Sequence, residues 1–187
     1  KDIIYCDGKK SKERRSARTL LDIIFNYLVR WLAPSLSFTT EEAWKARNNN
    51  SSIHLEDFLT AKDSYCNNSL KNKWEIAKNV RRVITGALEK KRAEKIIGSS
   101  LEAHIDIYLE DNIISELENI DFKEIAITSS ATIHSNNTDQ KGFSLEDIKN
   151  VFIQVSKTNG DKCQRCWKYY KNNLNNEICD RCNEAIS

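Results

Sequence analysis

Methionine is absent from this 187-residue chain, which has one proline, five glycines and three histidines. With an amino terminus of Lys1-Asp2-Ile3-Ile4, the missing methionine makes the sequence read as part of a longer protein. No apolar run approaches the ~20 residues that cross a bilayer, and the start lacks the apolar core of a secretory signal. Phosphate-loop signatures of the Gly-x-x-x-x-Gly-Lys or Gly-x-Gly-x-x-Gly kind are missing. The histidines His54, His104 and His134 are scattered, without metal-ligand spacing or a nucleophile nearby. No catalytic constellation is therefore expected. The formal net charge is only +2, so any nucleic-acid binding must rest on local clusters of charge.

What remains is a soluble globular composition, 40% hydrophobic and 30% charged, long enough for one domain with an appendage or two small ones. Residues 1–10 read as an extended or looped opening segment. Over residues 11–33, Ala17, Leu21, Ile24, Leu28 and Trp31 recur at spacings of four and three, which puts them on one helical face. Pro34 ends that helix. Thr39-Thr40-Glu41-Glu42 resembles a second helix start, with a hydroxyl cap and acids at the positive end, and the helix would carry Ala43 and Trp44. A long helix is expected over residues 69–94 with Leu70, Trp74, Ala77, Ile84 and Leu88 inward; Gly86 weakens it by about 1 kcal/mol relative to Ala.

Beyond Gly98-Ser99-Ser100 the period falls to two. Ala103, Ile105 and Ile107 alternate with His104, Asp106 and Tyr108 as in a half-buried strand. A short helix over residues 111–119 and strands over 125–133 and 151–155 follow, with a polar loop around 136–139. The fold class is thus mainly α over residues 1–100, then a small α+β region over 101–160, then a four-cysteine zinc finger over 161–187.

Four of the six cysteines form two Cys-x-x-Cys pairs, Cys163/Cys166 and Cys179/Cys182, and Cys6 and Cys66 stand alone as ordinary thiols. Two residues between paired cysteines turn both sulfurs toward one point, and two such knuckles complete a tetrahedron around Zn²⁺. The distribution argues against a secreted disulfide scaffold and for a structural zinc in a reducing, cytoplasmic compartment. Lys162, Arg165, Lys168, Lys171 and Arg181 offset the excess charge of four thiolates. Asn183 and Trp167 stand where glycine usually follows the second cysteine of a knuckle. Trp tolerates a left-handed conformation poorly, so a different turn is expected there.

Trp167, Tyr169 and Tyr170 interleave with basic residues, which suits stacking on unpaired bases; for Trp167 the reading preferred is the small core of the zinc module. Residues 71–95 hold nine Lys or Arg against three Glu. That run reads either as a phosphate-binding face or as a solvated one.

Several segments taken together resemble the C-terminal third of bacterial isoleucyl-tRNA synthetases. They are Lys1-Asp2-Ile3-Ile4-Tyr5-Cys6-Asp7, the stretch from Leu32-Ala33-Pro34 through Phe38-Thr39-Thr40-Glu41-Glu42-Ala43-Trp44, Ile97-Gly98-Ser99-Ser100-Leu101-Glu102-Ala103, and the terminal Cys163-Gln164-Arg165-Cys166-Trp167 and Cys179-Asp180-Arg181-Cys182. The resemblance implies an anticodon-binding helical domain, an α+β junction and a zinc finger held by Cys163, Cys166, Cys179 and Cys182. It implies a monomer that binds tRNA(Ile), with no membrane and no DNA as partner. ATP would belong to the parent ligase alone, because the catalytic and editing domains are not in this chain. The residues expected to touch tRNA are Arg81, Arg82, Lys90, Lys91, Arg92, Arg165, Trp167, Lys168 and Arg181. The alternatives are the zinc-finger end of a DNA-repair glycosylase, whose Pro-Glu start and helix–two-turn–helix are absent, and a zinc-stabilised protein-interaction module.

Overall fold

A computed structural model describes residues 2–48, 51–135, 142–171 and 174–186. About half of it is helical, with a small mixed sheet. The loop expected around 136–139 lies outside the described residues. The chain divides into two compact units, Lys1–Cys66 with Arg181–Ser187, and Asn67–Asp180.

In the first unit the opening segment is a short helix, α1 (Asp2–Cys6), rather than a loop. Helix α2 (Lys12–Leu32) is capped by Ser11, whose hydroxyl accepts the Arg14 N–H at 3.2 Å, and it ends just ahead of Pro34. Helix α3 (Ser37–Lys45) begins ahead of the expected threonines; Thr40 Oγ1 turns back to donate to the Leu36 carbonyl instead of capping. Glu41 accepts from Ser52 Oγ and the Ile53 N–H, tying α3 to the turn Ile53–Leu55. The core is small: Val29, Ala33, Trp44 and Ile53, with Phe25 against it. Arg30 lies over the Trp44 ring and pairs with Glu56 at 2.7 Å.

That core uses the face of α2 that carries Phe25, Val29 and Ala33, spaced by four. The face on which the spacing places Leu21, Ile24, Leu28 and Trp31 is exposed, Trp31 to 53%. Periodicity identified an amphipathic stripe correctly, but among the described residues nothing in this unit covers it.

The second unit is built on helix α4 (Asn68–Ala93), capped by the Asn67 side chain. It lies against a four-stranded sheet of β1 (Ala103–Leu109), β2 (Ser130–Ser135), β3 (Phe143–Leu145) and β4 (Ile148–Lys157), in the order β2-β1-β4-β3. Strands β1 and β2 are parallel, and the other pairings are antiparallel. Ala103, Ile105, Ile107 and Leu109 of β1 point into the core with Ala77, Val80, Val83, Ile84, Ala87 and Leu88 of α4. Because that apolar face is covered by the sheet, α4 belongs with the strands rather than with the helices before it. Leu70 and Trp74, expected inward, are exposed, since burial along α4 begins only at Ala77.

The parallel crossover from β1 to β2 runs through α5 (Asp111–Glu116) and α6 (Phe122–Ala126). The strand expected from residue 125 begins later. Asp121 caps α6 by accepting the Lys123 N–H, and Phe122 is buried in the core, so the strand starts at Ser130. Gly86 has a packing reason: a Cβ there would stand 2.6 Å from the Phe143 ring. The helix gives up propensity so that β3 can approach it.

Candidate metal centre and nucleic-acid interface

The four-cysteine segment begins with a hairpin of β5 (Asp161–Lys162) and β6 (Tyr169–Tyr170). Gly160 leads into it with φ +134 where a Cβ would meet the Tyr170 carbonyl at 2.1 Å, so only glycine fits. Between the two strands the first knuckle closes on itself. The Cys163 N–H donates to the Lys168 carbonyl and the Trp167 N–H to the Cys163 carbonyl, each at 2.9 Å. Trp167 takes φ 65, the left-handed conformation that its side chain disfavours, contrary to expectation. The knuckle's hydrogen bonds need that turn and outweigh the local preference. The second pair needs no such turn, since Cys179 is followed by helix α7 (Asp180–Ile186), which carries Cys182.

All four cysteines are buried, and their sulfurs lie within 4.8 Å of one another. Among the described residues they are the one such group of three or more metal-ligating side chains. Burial pushes the Cys166 thiol up to about 12. Burial also acts on Cys163, but backbone N–H groups of Cys166, Cys179 and Arg165 hold that thiol down, to about 6. Burial and the facing sulfurs raise the Tyr170 hydroxyl, which lies 3.7 Å from Cys166 Sγ. Four sulfurs this close cannot all ionise without a cation among them. The buried four-thiol donor set fits a metal ion bound structurally.

The aromatic and basic residues around the centre separate into distinct roles. Trp167 is 59% exposed, so it is not the core of the module, and the Lys162 ammonium sits 5.5 Å from its ring centroid. Tyr170 is half-buried with its hydroxyl toward Cys166 Sγ, and the Tyr169 N–H donates to Ser129 Oγ. Lys168, expected to meet RNA, is buried with its ammonium 2.5 Å from Glu124 Oε1 of α6. Arg165 is half-buried. Arg181 pairs with both oxygens of Asp2 at 2.7 and 2.8 Å, within the first unit.

Most cations of α4 are also engaged. Arg82 pairs with Asp147, Lys91 with Glu94 and Arg92 with Glu89, while Arg81 donates to the Ile125 carbonyl. Lys90 is exposed.

Two groupings escaped the sequence reading. The parallel pairing of β1 and β2 brings His104 and His134 onto Asp106, with His134 Nε2 at 2.7 Å from its carboxylate. Burial alone would raise the Asp106 carboxyl, but the two imidazoles hold it below its ordinary value. Only strand pairing reveals that cluster. The other is a dense basic run at the start of α2, which a shorter counting window would have found.

The family model described as the anticodon-binding domain of tRNA ligase matches residues 1–107. The isoleucine–tRNA ligase of Pelagibacter ubique is 42% identical over 182 residues, covering 97% of this chain and 18% of that protein. Those of Bartonella henselae and Brucella abortus are each 43% identical over 171 residues, 90% of this chain and again 18% of theirs. The chain thus spans less than a fifth of the length of these relatives.

Proposed function

The chain belongs to the family of tRNA-ligase anticodon-binding domains, and we propose on that premise that it is the tRNA-binding portion of an isoleucine–tRNA ligase. The parent would activate isoleucine with ATP and attach it to tRNA(Ile). This portion contributes grip on the anticodon stem and loop, and no chemistry. A zinc ion held by Cys163, Cys166, Cys179 and Cys182 would supply the cation that lets all four thiols ionise, and would thereby fold the knuckles.

The observation that carries the reading is the outward Trp167. A large indole held on a left-handed turn, 59% exposed, with an ammonium beside it, supports stacking on an unpaired base with its phosphate nearby. Lys90 is free to meet the stem backbone. Arg81, Arg82, Lys91 and Arg92 can join it by exchanging exposed internal partners, because surface ion pairs are worth only about 0–1 kcal/mol. Arg165 would serve beside Trp167. Lys168 and Arg181 would act indirectly, by holding the knuckle and α7 through Glu124 and Asp2.

The test is binding of the zinc-loaded chain to tRNA(Ile) and to a non-cognate tRNA across a salt series. A cognate preference with a salt-dependent slope is expected. Absence of binding at low salt would overturn the reading.

A further inference from the structure

We propose that the groove at the start of α2, walled by Lys10, Lys12 and Arg15, binds the phosphodiester backbone of RNA, a second contact surface separate from α4 and the zinc knuckles. This rests on the reading of the chain as a tRNA-binding module.

Residues 9–18 contain six cations, Lys9, Lys10, Lys12, Arg14, Arg15 and Arg18, against the single acid Glu13. That density exceeds the run on α4. More important is what the cations touch. The α4 cations are largely tied to carboxylates or carbonyls of their own unit. At the start of α2 only Arg14 is held in this way, donating to the Asp7 carbonyl at 2.7 Å. Among the described residues, no carboxylate lies within ion-pairing distance of Lys9, Lys10, Lys12, Arg15 or Arg18, and all five are exposed. Glu13 is turned to the Ser11 hydroxyl at 2.9 Å.

Three of these cations line a groove of about 550 Å³ together with Ser16 and Thr19, over a floor of Leu20 and Ile23. No acid lines it. The neighbouring groove, which shares Lys10, is different in kind: Asp7, Glu13 and Glu184 line it. Thr19 Oγ1 already donates to the Arg15 carbonyl, so the first groove offers an anion ammonium and guanidinium donors and the Ser16 hydroxyl, with apolar surface for the sugar between phosphates.

The arrangement works against the helix that carries it. Cations in the first turn face the positive end of the helix dipole. Lys12 and Arg15, and Arg15 and Arg18, repel at a spacing of three. A phosphate in the groove relieves both effects at once. Phosphate contacts of this kind are insensitive to sequence and strongly dependent on salt.

The experiment compares the zinc-loaded chain with its Lys10→Gln/Lys12→Gln/Arg15→Gln variant, binding a synthetic RNA hairpin of the tRNA(Ile) anticodon arm and a scrambled hairpin from about 50 to 200 mM salt. The slope of log K against log salt should become shallower by about 2, with equal loss for both hairpins. Lys62→Gln/Lys149→Gln serves as the control, two exposed cations outside the groove, and should leave the slope unchanged. Lys12→Glu separates binding from folding. It should raise the melting temperature, because an acid suits the first turn, and yet weaken the RNA. An unchanged slope in the triple variant, with wild-type binding intact, would overturn this proposal alone. A wild-type chain that binds neither hairpin would overturn the functional reading with it.

Discussion

The Lys168 ammonium and the Glu124 carboxylate meet at 2.5 Å, joining the first cysteine knuckle to the short helix α6 across 44 residues of sequence. Lys168 is almost wholly buried, and Glu124 is about a third exposed. Removing the lysine leaves a partly buried carboxylate without its partner. Lys168→Met should therefore destabilise the Asn67–Asp180 unit by about 1–2 kcal/mol, below the 3–5 kcal/mol of fully buried pairs because water reaches Glu124. The Lys168→Met/Glu124→Leu double variant should recover part of the loss. Equal stabilities for the single and double variants in urea would show that the pair does not couple the two elements.

Removing the metal should act locally. The hairpin and knuckles have almost no apolar core of their own, and metal binding is worth roughly 10–16 kcal/mol in peptides of this kind. Chelation, or Cys179→Ser, should make the segment after residue 161 sensitive to protease while the helical circular dichroism of α2 and α4 persists. A tail equally resistant with and without metal would contradict a structural metal.

Gly86 and Phe143 should show opposite signs in two backgrounds. Gly86→Ala gains about 1 kcal/mol of helix propensity but drives a methyl into the ring 2.6 Å away. Overpacking of this sort typically costs about 1–3 kcal/mol. The substitution should be neutral to destabilising in the native chain and stabilising once Phe143 is replaced by Ala. Identical effects in both backgrounds, read from thermal or urea unfolding, would remove the packing explanation for the glycine.

Trp167→Gly should divide structure from recognition. Glycine adopts φ 65 without strain, so metal affinity should be unchanged or tighter. Loss of the indole should weaken RNA by about 1–3 kcal/mol, roughly 5- to 150-fold, if it stacks on a base. Unchanged RNA affinity with intact metal binding would assign Trp167 no part in recognition.

Features set by residues close in sequence were legible from the sequence alone. The Cys-x-x-Cys pairs bring their sulfurs together because a two-residue spacing does so wherever it folds. The alternation from Ala103 to Tyr108 fell within β1, and the long helix expected over residues 69–94 matched α4. The amphipathic character of α2 was equally clear.

What tertiary structure decided is which of these surfaces meet something. Periodicity cannot say whether a partner exists, and the stripe of Leu21, Ile24, Leu28 and Trp31 is open because the core of its unit forms on the adjoining face. A charge count cannot say which cations are free, since Arg82 finds Asp147 sixty-five residues away and Lys168 finds Glu124. Local preference argued against a left-handed Trp167, and the hydrogen bonds of the knuckle overrode it. Spacing and period act over a few residues and are written in the chain. Burial and charge pairing act between residues that only the fold makes neighbours.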